Sequence, residues 1–202
     1  MKVNAVTAEQ AGQIEKVLRR NGQETYADVW VLNLNMALRI SDLLALTFDD
    51  VKGNVLRLNE KKTARKAKGD QPAKPGKAKT IEINEAAREI IEKRRKAFPD
   101  DVFLFQSKSN CMKFKPAAPV AREGCSRAFK AAGEEVCGDS RNVGTHSARK
   151  TRARMMYDDT RDIALVSRML NHSSIRVTET YLDIRAEEVQ ESYHTYQFRS
   201  QS

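Results

Sequence analysis

From Lys61 to Lys79 the chain carries no large apolar residue, and a short run with strand character stands on each side of that stretch. The runs are Val55-Leu56-Arg57-Leu58 and Thr80-Ile81-Glu82-Ile83, rich in the branched residues that suit a pleated surface. A stretch of Lys, Ala, Gly and Pro has nothing to bury and cannot offset the entropy of ordering it. It is therefore expected to be a mobile loop, 61–79, joining two antiparallel strands in a hairpin. Strand character begins near Phe48, and Lys52-Gly53-Asn54 is turn chemistry leading into the first run. The sheet is thus small and antiparallel, and the rest of the core must come from helices.

The same segment concentrates the charge. The net charge is +9, and residues 57–79 hold nine Lys/Arg against Glu60 and Asp70. That leaves the other 179 residues nearly balanced. A clustered excess of this kind points to a polyanion, nucleic acid first. On charge alone, a solvated loop without any partner fits equally well.

Helical signals occupy most of the remaining chain. Thr7-Ala8-Glu9-Gln10 has the form of a capping box, followed by Ile14, Val17 and Leu18 at helical spacing and a stop at Asn21-Gly22. A second helix is expected from Glu24 to Leu38, with Val29, Trp30, Leu32 and Met36 among its apolar positions, and Ser41 is expected to cap a short helix through Leu46. Asn84 caps a helix from Glu85 to Phe98 with an apolar stripe at Ala87, Ile90, Ile91 and Phe98. Val102 to Phe105 reads as a short buried segment, 107–118 as loop, and Val120 to Ala132 as a helix stopped by Gly133. Four further helices are expected at 146–157, 161–170, 174–182 and 186–196. The fold class is α+β, mainly α: one helical domain with a small antiparallel β-sheet on its N-terminal side.

A chain of 202 residues is long enough for one domain with a proper core. No apolar run approaches the roughly 20 residues that span a bilayer, and the N-terminus has no apolar signal core, so a cytosolic protein is the expectation. Cys111, Cys125 and Cys137 are an odd number without a CxxC pair, which argues against a disulfide framework or a zinc ribbon.

Five polar positions stand out against this background. Arg39 lies in Ala37-Leu38-Arg39-Ile40-Ser41-Asp42-Leu43-Leu44; His146 and Arg149 form His146-Ser147-Ala148-Arg149; His172 lies in Leu170-Asn171-His172-Ser173-Ser174; and Tyr181 follows nine residues later. His146 and Arg149, three apart, project from one face of a helix that Gly144-Thr145 can open towards an anion. Taken singly, Arg39 would be a surface salt-bridge arginine, His146 a helix-start histidine, and Tyr181 a packed ring like Tyr157, Tyr193 or Tyr196. Together they suit attack of a tyrosine hydroxyl on a phosphodiester. Guanidinium forks hold two phosphate oxygens and stay charged. Fixed donors aimed at developing charge are often the largest catalytic term. A histidine can take the hydroxyl proton, a lysine can protonate the leaving oxygen, and the covalent ester conserves the bond for rejoining. No metal or nucleotide cofactor is required.

Over residues 37–181 these motifs resemble those of the tyrosine recombinase, or phage integrase, catalytic domain. The Arg39 segment is similar to the family's first arginine box, in which an acidic residue three positions on, here Asp42, supports the site. His146-x-x-Arg149 resembles the second box, and Leu170-Asn171-His172 with Tyr181 resembles the third box and the nucleophile. The resemblance implies a catalytic lysine in the hairpin after the first box. Lys62, followed by Thr63, fits best, with Lys61 a close rival. Asn171 stands where the family usually has glycine, and Lys150 where it often has histidine. Asn accepts a left-handed backbone better than most residues, so the turn can survive.

The resemblance implies these roles: Arg39 and Arg149 on the scissile phosphate, Asp42 behind Arg39, His146 beside the nucleophile, and His172 on a phosphate oxygen. Lys62 would be the general acid and Tyr181 the residue that forms the 3′-phosphotyrosine. Lys61, Arg65, Lys66, Lys68, Lys74, Lys77 and Lys79 would lie against DNA phosphates. The expected partner is double-stranded DNA with specific recombination sites, acted on by a homotetramer, with a monomer off DNA. Residues 1–202 would be the catalytic domain, with 183–202 a C-terminal tail helix that packs on a neighbouring protomer and with no N-terminal core-binding domain. Two alternatives stay open: a topoisomerase-like nicking and relaxing activity, and a non-catalytic DNA-binding protein on the same scaffold.

Overall fold

A computed structural model describes residues 3–60, 76, 78–109, 115–138 and 142–182. The chain divides into two compact units, 1–152 and 153–202. The first unit contains helices α1 (Ala8–Arg20), α2 (Glu24–Met36) and α3 (Ile40–Leu44), a 3-10 turn at Phe48–Asp50, and strands β1 (Val51–Lys52), β2 (Val55–Asn59) and β3 (Ala78–Glu82). Helices α4 (Glu85–Ala97) and α5 (Arg122–Cys137) follow, and α6 (Ser147–Thr160) begins in this unit. The second unit contains α7 (Ile163–Leu170) and α8 (Ile175–Leu182). Among the described residues no helix is long and apolar enough to cross a membrane.

The local end signals act as their chemistry dictates. Thr7 and Gln10 form the reciprocal capping box of α1, and Asn84 accepts from the Ala87 N–H to cap α4. In the first unit α1, α2 and α5 pack around Trp30, which is fully buried, donates its indole N–H to the Ala11 carbonyl at 3.1 Å and meets Phe129 edge-on at 5.1 Å. Ile14 and Leu18 from α1, Leu32 from α2 and Phe129 from α5 complete this centre. Each such fully buried side chain contributes on the order of 1.5–3 kcal/mol.

The sheet has the order β1-β2-β3, antiparallel throughout. In the β2–β3 register Leu56 faces Ile81 and Leu58 faces Lys79. Strand β3 therefore starts two residues earlier than the sequence suggests, and Lys79 belongs to the strand rather than to the loop. Lys61, Lys62, Arg65, Lys66, Lys68, Lys74 and Lys77 lie outside the described residues, as do Cys111 and the expected helix at 186–196.

Other expectations are corrected as well. Helix α2 stops at Met36 because Ala37 turns left-handed, at φ 49°. Helix α3 starts at Ile40 with Arg39, not Ser41, at its N-cap. Helix α5 runs through Gly133 to Cys137, because that glycine serves close packing rather than termination: a Cβ there would lie 2.3 Å from the Val143 side chain. The Val102–Phe105 segment is buried only at Leu104 and Phe105, while Val102 is exposed.

Candidate phosphate-binding site

In the first unit Arg39, His146 and Arg149, with Lys79, come together. Arg39 follows directly on the left-handed turn at Ala37, a conformation that costs a non-glycine residue roughly 1–2 kcal/mol. Asn33 holds the turn by accepting from the Leu38 N–H through its side chain at 2.9 Å. The turn aims the Ala37 carbonyl at Arg149, whose guanidinium donates to it. Arg149 is 2% exposed, so this backbone acceptor two residues from Arg39 fixes the two arginines in one neighbourhood.

Asp42 and Glu60 flank Arg39. The Asp42 carboxylate lies 4.0 Å from the guanidinium, whereas Glu60 lies at 2.9 Å. The resemblance implies a supporting role for Asp42, yet Glu60 is the nearer of the two. A signal for Glu60 was present in the sequence. Leu56 and Leu58 alternate towards the core, and continuing that period of two places Glu60 on the buried face of the hairpin. Lys79, Ile81 and Ile83 alternate likewise on the partner side. The inner face of the hairpin is thus apolar along most of its length and becomes charged where it reaches Arg39.

Electrostatics tie the group together. Burial, then Arg149 and Arg39, push the Lys79 amine down to about 8, against the pull of Glu60 and Asp42. His146 immediately precedes α6, and the Lys150 N–H bonds to its carbonyl at 2.9 Å. Burial first, and then the charges of Arg122, Arg149, Lys150 and Arg39, lower its pKa below the ordinary value of 6.5. His146 is therefore neutral at pH 7 and able to accept a proton. Asp42, Glu60, Arg149 and Lys150 are all buried, and such charges are stable only as a paired network.

The second unit holds the other two predicted residues. Helix α7 ends at Asn171, left-handed at φ 51°, and the His172 N–H reaches back to the Ser167 carbonyl at 3.0 Å. This is the glycine-type helix ending, achieved here by asparagine. His172 Nδ1 lies 2.9 Å from Thr178 Oγ1, and Thr178 is fully buried on α8. The His172 and Tyr181 rings meet edge-on, with centroids 5.2 Å apart. This contact fixes the plane of the imidazole and leaves Nε2 as the ring nitrogen that can face a ligand. Thr178 is thus the residue that orients His172.

A model of the phage integrase family matches residues 4–188. The chain belongs to the phage integrase family. This family member is 29% identical over 189 residues to the probable integrase/recombinase YoeC of Bacillus subtilis (strain 168), with 93% of each chain covered. Its fold is that of the XerA recombinase, with a TM-score of 0.69 at 14% identity; the likeness takes in 98% of this chain and 65% of that one. It is also that of the Tn1549 transposon integrase in complex with a circular intermediate DNA, with a TM-score of 0.70 at 16% identity, over 97% of this chain and 67% of that one. The expected mainly helical fold with a small antiparallel sheet is thus the observed one.

Proposed function

We propose that this integrase-family protein is a site-specific DNA recombinase that cleaves and rejoins duplex DNA through a 3′-phosphotyrosine. The observation that carries the reading is the cluster of Arg39, Arg149 and Lys79 beside a neutral His146, in a chain of this family. Arg39 and Arg149 hold the non-bridging oxygens of the scissile phosphate, with Asp42 behind Arg39, and stabilise the charge that gathers there in the transition state. Tyr181 Oη attacks phosphorus and its proton passes to His146. The bond from phosphorus to O5′ breaks, Lys62 protonates that oxygen, and His172 donates from Nε2 to a phosphate oxygen. Attack by a 5′-hydroxyl on the phosphotyrosine reverses each transfer and reseals the strand.

Lys61, Arg65, Lys66, Lys68, Lys74 and Lys77 lie along the DNA backbone and supply salt-dependent affinity. Lys79, being half-buried beside the arginines, serves the scissile phosphate instead. Residues 1–202 act as the catalytic domain, and four protomers assemble on two DNA sites, the 183–202 tail of each packing on its neighbour. The workplace is the bacterial nucleoid or the cytoplasm of a phage-infected cell.

The test is covalent capture. A duplex pool of randomised sequence carrying 5′-bridging phosphorothiolates traps the adduct, because the thiol that leaves rejoins poorly. The wild-type chain is expected to accumulate a denaturant-resistant adduct, and Tyr181→Phe to bind the pool without forming one. An adduct from Tyr181→Phe would move the nucleophile elsewhere. Relaxation of a supercoiled plasmid, with no recombinants from two-site substrates, would favour the topoisomerase-like alternative. DNA binding without any adduct would favour the non-catalytic one.

A further inference from the structure

Glu60 is an unusual residue for the end of a strand that feeds a phosphate-binding cluster. It is 0% exposed, and its carboxylate sits 2.9 Å from the guanidinium that is to receive an anion. A buried carboxylate near a DNA phosphate is repulsive unless cations outnumber it, and here Arg39, Arg149 and Lys79 face Glu60 and Asp42. Its backbone is pinned as well. Gly76, from the far side of the hairpin, approaches so closely that a Cβ there would stand 1.8 Å from the Glu60 carbonyl oxygen. Main chain and side chain are therefore both fixed, which a merely tolerated surface glutamate would not need.

We propose that Glu60 is a positioning residue: its carboxylate, held on the inner face of the β2–β3 hairpin, orients Arg39 and Lys79 so that both face the scissile phosphate. The inference rests on the recombinase reading above and adds to it a second support for Arg39, on a different element from Asp42. Glu60 touches no reacting atom and acts through the two cations. Without its charge, Lys79 loses one of the carboxylates that offset Arg149 and Arg39.

The experiment compares the full-length wild-type chain with Glu60→Gln and Glu60→Asp in two readouts. The first is the rate of adduct formation with the randomised phosphorothiolate pool across pH. The second is the titration of the Lys79 amine in the DNA-free protein, followed by NMR of labelled lysine and assigned with Lys79→Arg. Glu60→Gln is expected to fold, to bind DNA at least as well as wild type, and to form adduct roughly ten- to a hundredfold more slowly, the scale set by misplaced groups. Its Lys79 amine should titrate about one pH unit lower, the size expected for losing a nearby opposite charge. Glu60→Asp keeps the charge but not the reach, so it should slow the reaction while leaving the Lys79 titration near that of wild type.

Unchanged rate and unchanged titration in Glu60→Gln would overturn the proposal. So would a slower reaction with unmoved titration and a lowered melting temperature, which would make Glu60 a packing residue only. Absence of adduct from the wild-type chain counts against the recombinase reading instead, and Glu60 is then judged on the Lys79 titration alone.

Discussion

Two arginines in the first unit, Arg94 buried and Arg39 half-buried, show how one kind of side chain sits in two different settings. Arg94 on α4 is 3% exposed and committed in every direction. It meets Asp28 at 3.3 Å, donates to the Leu104 carbonyl, and lies over the Phe98 and Phe105 rings at 5.1 and 4.9 Å. Asp28 in turn also receives Arg19 at 3.1 Å and Lys93 at 3.3 Å. Arg39 has carboxylates beside it too, but its side chain stays 16% exposed and it shares its surroundings with Arg149 and Lys79. Around Arg94 the positive charge is used inward, on protein acceptors and aromatic faces. Around Arg39 an excess of cations is held in place by a costly left-handed turn and buried carboxylates, an arrangement that favours an external anion. Ion pairing alone therefore does not separate these two settings. The local surplus of charge and the exposed edge do.

Exchanging substitutions between the two positions tests that distinction, and the largest effect is expected at Arg39. Arg39→Lys keeps the charge but loses the fork, and should slow adduct formation by about 10²–10³-fold while leaving the melting temperature nearly unchanged. Arg94→Met should do the reverse, destabilising the fold by about 3 kcal/mol in denaturant titrations because Asp28 loses a buried partner, with near-normal cleavage at low temperature. If both variants lost activity and stability together, the contrast would be void.

Smaller effects sharpen the account elsewhere. Thr178→Val removes the hydroxyl that sets the His172 ring and should slow cleavage about tenfold, the worth of one hydrogen bond, with DNA binding intact. The pH profile of adduct formation should be bell-shaped. Because the His146 pKa is lowered, its neutral form persists on acidification, and the acid limb should fall below pH 6.5. Lys79 loses its proton near pH 8, so DNA affinity should weaken as pH rises through that value, and Lys79→Met should abolish the weakening. Lys79 also bears on folding. Its pKa in the native state lies below the ordinary 10.5, so the unfolded chain binds the extra proton between about 8 and 10.5, and stability contributed by this group rises with pH across that window. The smallest effect is at the α7 end: Asn171→Gly should be nearly neutral, and Asn171→Leu should cost about 1–2 kcal/mol in thermal or denaturant melts.

What the sequence made legible was what short-range chemistry decides. The Thr7 capping box, the Asn84 cap and the Asn171 turn each depend on neighbours within a few residues, and each was readable. The pairing of the two strand runs was readable because the stretch between them holds no large apolar residue. The errors came where tertiary contact overrides local preference. Gly133 looks like a helix stop until Val143 is seen against it. Lys79 looks like one more loop lysine until the strand register sets it opposite Leu58. Glu60 lies two residues past the expected strand end at Leu58, and only the alternation of Leu56 and Leu58 points it inward. The roles of Arg39, Asp42, His146 and Arg149 are those the family resemblance implies, and their mutual placement required the fold.

The most direct measurement is a crystal structure of the protein trapped on a phosphorothiolate duplex. The account predicts electron density joining phosphorus to Tyr181 Oη, with Arg39 and Arg149 each on a non-bridging oxygen and Glu60 still behind Arg39. Phosphorus bonded to a different tyrosine, or a DNA phosphate lying away from both arginines, would contradict it.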